Sequence, residues 1–128
     1  FAIDWVERFP STGGLVIESG IHDVLERLLL RMTPAELGCT EGDLVAAVSE
    51  RLDHARKLRA YRGDSLFLHA EGDHLVTISH AERNAAAAGE RGTLVRLPYG
   101  DHNSILAANA EAYFTALEGF LARCCQPG

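Results

Sequence analysis

Three short apolar runs, each followed by a longer stretch of helical periodicity, constrain this chain more than any other feature. Residues 15–18, 65–69 and 93–97 are rich in Leu, Val and Phe and are bounded by glycine-containing turns. Runs this short and this apolar suit strands buried on both faces. After each of them the apolar residues recur at helical spacing. Val24, Leu25, Leu28 and Leu29 do so in 23–31, and Leu44, Val45, Val48, Leu52 and Ala55 in 41–58. Leu106, Ala110, Tyr113, Leu117, Phe120 and Leu121 do so in 103–123. A strand followed by helix, three times over, predicts an α/β fold of about three parallel strands with flanking helices. At 128 residues the chain is at most one domain, spanning 1–128.

Local signals place the breaks. Residues 1–9 read as a helix with Trp5, Val6 and Phe9 on one side, ended by Pro10-Ser11-Thr12-Gly13-Gly14. Pro34 and Gly38 end the second helix, and Tyr61-Arg62-Gly63-Asp64 turns into the second strand. Ser79 with Glu82 forms the pattern of a capping box, predicting a helix from there to about Ala88. Asn103 is the expected cap of the last helix, which would put His102 at its N-terminus. Three parallel strands alone would leave residues 15–18 as an apolar edge, which proteins avoid. The expectation is that missing strands upstream in the same polypeptide, or a second chain, cover it.

Two of the runs deliver a titratable side chain where they stop: Asp73 in Leu68-His69-Ala70-Glu71-Gly72-Asp73, and His102 in Pro98-Tyr99-Gly100-Asp101-His102-Asn103. Ligands and catalysis sit at the carboxyl ends of strands in open parallel sheets. A carboxylate can accept the Nδ1 proton of a histidine and fix its tautomer, and the imidazole can then move a proton near neutral pH. Read singly, Asp73 is also an ordinary turn aspartate and His102 an ordinary solvent-facing histidine. No G-x-S-x-G is present, and Ser19 lacks the glycine two residues before it, so no nucleophile is expected within the chain. His69, Asp73, His74 and His102 do not have the H-E-x-x-H spacing, so no metal and no cofactor is expected. His69 reads as structural and His74 as solvent-facing.

Beyond these patterns, nearly the whole chain resembles the C-terminal half of an α/β-hydrolase of the small-lid serine esterase type. Ala2-Ile3-Asp4-Trp5-Val6-Glu7-Arg8-Phe9-Pro10 is similar to the helix after the nucleophile elbow, and Gly14-Leu15-Val16-Ile17-Glu18-Ser19-Gly20 to the next strand. Leu68 to Val76 resembles that family's L-H-G-x-x-D-x-[IL]-V turn, with Ala70 where glycine is usual. Pro98-Tyr99-Gly100-Asp101-His102-Asn103 resembles its P-x-[AG]-x-H-N turn. The resemblance implies a small-molecule acyl substrate, with Asp73 and His102 as triad acid and base. It implies a serine about five residues before Phe1. Ile21 and His22 are the expected lining of the acyl pocket, and 41–58 lies where the family inserts a short lid, although its many charges also describe a solvated helix face.

Composition narrows the rest. A net charge of −6 with scattered arginines argues against nucleic-acid binding. No run of 18 or more apolar residues is present, so no membrane span is expected, and a signal-peptide pattern is missing at the start. The three cysteines, Cys39, Cys124 and Cys125, fit a reduced cytoplasmic protein better than a disulfide framework, with the last two near a frayed terminus. The chain starts at Phe1 and its one methionine is Met32, so an upstream segment is expected. Three arrangements stay open: the acid–base segment of one serine hydrolase polypeptide, a truncated non-catalytic domain that self-associates or binds a partner through its edge, and an enzyme completed by a separate chain.

Overall fold

The computed structural model describes residues 1–124; Cys125 lies outside them. Three strands, β1 (Gly14–Glu18), β2 (Asp64–Ala70) and β3 (Gly92–Leu97), form one parallel sheet in the order β1-β2-β3. The register places Ile17 beside Phe67 and Phe67 beside Leu94. β2 is therefore the central strand, and it is buried along six of its seven residues.

Alternation along the strands sends side chains to two cores. Leu15, Ile17 and Phe67 meet Ile3, Val6, Leu58 and Tyr61 on one face. Helices α1 (Ala2–Arg8), α4 (His54–Ala60) and α5 (Ile78–Ala88) supply or flank that layer. Leu66, Leu68, Ala70 and Leu97 meet Ile105 and Phe120 on the other face, from α6 (Ile105–Ala108) and α7 (Ala110–Cys124). Both faces of the parallel sheet are thus covered, as its apolar strands require. Cys124 packs against this second core at the end of α7, so it is not part of a frayed end. Helices α2 (Val24–Leu29) and α3 (Glu41–Arg51) pack against each other after β1.

Residues 41–58, expected as one helix, are two. Asp53 breaks the run because its carboxylate accepts a hydrogen bond from the Arg56 amide at 2.8 Å, starting α4 afresh. α4 is then locked against α1. Lys57, 4 % exposed, donates to Asp4 and the Arg51 carbonyl and lies 3.1 Å from Glu7, while Arg56 bonds Glu7 at 2.8 Å. Burial by itself would lower the Lys57 pKa, but the bonds to Asp4 and Glu7 hold it above the usual lysine value.

Two other expectations are corrected. The Ser79–Glu82 capping box does not form: the helix starts two residues earlier, with Thr77 at its N-cap and no side-chain cap bond. Thr77 and Ser79 bond each other instead, at 2.8 Å, and Glu82 pairs with Arg96. The last helix is broken at Asn109, whose side-chain amide donates to the carbonyls of Tyr99 at 2.7 Å and Ile105 at 2.8 Å. A buried Asn that claims a carbonyl of the preceding turn and a strand-end carbonyl interrupts the helix. Among the described residues, no helix is long and apolar enough to cross a membrane.

Phe67→Ala removes a ring that is 1 % exposed from the centre of the sheet. Urea denaturation is expected to show a loss of about 3–5 kcal/mol in unfolding free energy.

Candidate functional site

The turn after β2 is built around a buried carboxylate. Asp73 Oδ1 accepts from the amides of Leu75 at 2.9 Å and Val76 at 2.8 Å. Its Oδ2 accepts from His102 Nδ1 at 2.8 Å and lies 3.5 Å from His69 Nε2. The Asp73 side chain has no solvent exposure and that of His102 has 30 %. Burial pushes the Asp73 pKa up, but the Val76 amide, the His102 ring and the Leu75 amide outweigh it, and the carboxyl titrates below its ordinary range. His69, fully buried at the end of β2, donates from Nε2 to the Val76 carbonyl at 2.7 Å, closing the turn from the other side. A carboxylate only accepts, so the Asp73 bond puts the His102 proton on Nδ1 and leaves Nε2 with its lone pair.

The turn after β3 that carries His102 is organised by Asp101, not by Asn103. Asp101 Oδ1 accepts from the amides of Asn103 and Ser104, each at 3.0 Å, and from the Ser104 hydroxyl at 2.7 Å. Ser104, not Asn103, is the N-cap of α6, so His102 lies two residues before the cap in this turn. Gly100 holds a φ of +76°, a conformation that glycine adopts without a Cβ penalty. Asn109 clamps the same segment by accepting from the Tyr99 amide at 3.2 Å. The two turns touch through backbone: a Cβ added at Gly72 would lie 2.7 Å from the Gly100 carbonyl oxygen.

His102 lines a cavity of about 490 Å³ with Ser19, Ile21, Val24, Leu28, Leu75 and Val76, and with Arg27 and Arg31 at the α2 side. Ile21 lines this cavity and His22 does not. The His22 amide donates to His80 Nδ1 at 3.2 Å and its ring bonds Asn84 at 2.9 Å, turning it toward α5. Asn84 and His54 also bond the carbonyls of Gly20 and Ile21, so the loop after β1 is held at each residue. Burial, with Arg83 nearby, keeps the His80 pKa below the ordinary histidine value. His74 is exposed.

Ser19, directly after β1, has φ +47°, alone among the described non-glycine residues in having a positive φ. Its hydroxyl is buried without a hydrogen-bond partner. A residue held there costs about 1–3 kcal/mol, and such strain collects at ligand sites. Sequence reasoning missed Arg27, Arg31, Asn84 and Asn109, since nothing in local spacing says which helical face meets a distant turn. No group of three or more His, Cys, Asp or Glu among the described residues is arranged to hold a metal ion.

Gly72→Ala is expected to force the two turns apart, lowering unfolding free energy in urea by about 1–3 kcal/mol. For Asp73 the sign of the pH effect follows from its depressed pKa. The stabilisation it confers is complete above the unfolded aspartate value and is lost as pH falls through the folded one. The stability gap between the wild type and Asp73→Asn should therefore be constant near neutral pH and narrow below about pH 4, by urea denaturation at stepped pH.

Comparison with protein-family models and with curated proteins found no match. Several solved structures are similar, two of them as follows. The esterase domain of a Rhodothermus marinus protein aligns with a TM-score of 0.69 at 22 % identity, over 95 % of this chain and 54 % of that one. The "Putative non-heme bromoperoxidase BpoC" of Mycobacterium tuberculosis H37Rv aligns with a TM-score of 0.66 at 15 % identity, over 96 % of this chain and 64 % of that one. The chain thus spans between about half and two thirds of the length of these neighbours. Its three parallel strands and flanking helices form part of an α/β-hydrolase fold.

Proposed function

We propose that this chain contributes the acid and the base of a serine hydrolase that cleaves carboxylic esters or related acyl compounds. The observation that carries the reading is the 2.8 Å bond from His102 Nδ1 to a carboxylate that is itself fully buried and doubly held by backbone amides. His102 also faces a largely apolar cavity of a size suited to a small molecule. In this reading a serine outside residues 1–128 attacks the acyl carbonyl. His102 Nε2 takes the hydroxyl proton and returns it to the leaving oxygen, while Asp73 keeps the tautomer and stabilises the imidazolium. The oxyanion would be bound by N–H groups beside that serine and from an earlier loop. That an esterase domain is among the structural neighbours agrees with the chemistry.

A second reading, an interaction domain without catalysis, is favoured by β1. It pairs with β2 on one side, and no described strand pairs with its other side. Trp5 and Phe9 stack 4.3 Å apart on the adjoining helix while staying about half exposed. Exposed apolar surface beside an open edge is a docking surface for another strand.

Hydrolysis of 4-nitrophenyl acyl esters by the full-length polypeptide separates the two. Activity is expected, with His102→Ala and Asp73→Asn each lowering kcat by about 10⁴-fold or more. A fluorophosphonate probe should label one serine in the same protein. Activity that survives His102→Ala would overturn the acid–base reading, and a stable dimer with no labelling would establish the second.

A further inference from the structure

The cavity beside His102 is apolar on most of its wall, but α2 and the turn after it bring two arginines to it. Val24 and Leu28 line it one turn apart, and Arg27 and Arg31 line it one turn apart on the same stretch of chain. Residues three and four apart share a helical face, so Val24, Arg27 and Leu28 of α2 reach the cavity together, and Arg31 joins them from the turn that follows. Asp23 sets the register of α2 by accepting from the Glu26 amide at 2.9 Å as N-cap. The one carboxylate within α2, Glu26, is turned away and pairs with Arg83 at 2.9 Å. Among the described residues, Arg27 and Arg31, like most of the arginines here, have no ion-pair partner. A second, independent feature points at the same space: the Ser19 hydroxyl, buried, unpartnered and held at positive φ, on the cavity wall.

We infer that this cavity selects an acyl group ending in an oxyanion, a carboxylate or a phosphate. The aliphatic chain would lie along Ile21, Val24, Leu28, Leu75 and Val76, and its anionic end would meet Arg27 and Arg31. Guanidinium groups match carboxylate and phosphate oxygens through paired N–H donors. A neutral acyl chain would leave both cations unused, while an anionic one exchanges water for charge-assisted bonds. The inference rests on the acid–base reading of Asp73 and His102.

The test compares mono-4-nitrophenyl glutarate with 4-nitrophenyl butyrate in the full-length polypeptide. The wild type should favour the glutarate ester in kcat/KM. The double variant Arg27→Gln, Arg31→Gln should lose that preference by about tenfold per guanidinium, read as the ratio of the two kcat/KM values. The preference should also shrink in 0.5 M salt, because Arg31 is exposed and its field is screened. Equal rates on both esters, or a preference that survives the double variant, would overturn the inference and leave the acid–base reading standing. If neither ester is turned over, the acid–base reading fails instead, and calorimetric titration with glutarate and with butyl phosphate decides the cavity. Binding of either anion that is lost in the double variant sustains the site and says which oxyanion it prefers, and no binding of either overturns it.

Discussion

Everything at the top of this molecule hangs from β2, because it is the strand that is paired along both edges and covered on both faces. Its side chains alternate between two cores, with Phe67 in one and Leu66 and Leu68 in the other. A slip of one residue would send each set to the wrong layer. The position of Ala70, and hence of the turn that follows, is therefore determined by two apolar layers at once. Asp73 inherits that rigidity through its amide, which bonds the Ala70 carbonyl at 3.1 Å.

A buried carboxylate is tolerated only when its oxygens are satisfied. Asp73 meets that demand with two amides on one oxygen and the His102 ring on the other. His69 holds the same turn through the Val76 carbonyl. The near contact of Gly72 with Gly100 brings the turns of neighbouring strands close enough for the bond. The charge on Asp73 thus serves stability and orientation together: removing it would loosen the turn and release the histidine.

The wall facing His102 is formed differently. It comes from the loop after β1 and from α2, and its placement depends on His54, His80 and Asn84 reaching across from α4 and α5. These polar bonds pin the backbone of residues 20–22, so the cavity has a defined shape although α2 has no fully buried residue. Ser19 stays strained at the hinge between strand and loop, which is consistent with a conformation imposed from its surroundings.

How much could be read in advance follows from which forces act locally. The three strands, the parallel α/β class, Asp73 and His102 at the strand ends, and the structural part played by His69 were all visible, because apolar runs and glycine turns are written in consecutive residues. The breaks at Asp53 and Asn109 were not, since helical periodicity runs on through them and the decision lies with side chains that capture backbone groups. Nor was the division of Ile21 from His22, adjacent residues that the loop sends to different neighbours. Sequence alone determined the three strands and the helical segments between them, through burial and turn chemistry that need only nearby residues. Tertiary structure decided what faces His102, because Ser19, Arg27 and Arg31 share its cavity with Leu75 and Val76 from the turn after another strand, and no local pattern encodes that meeting.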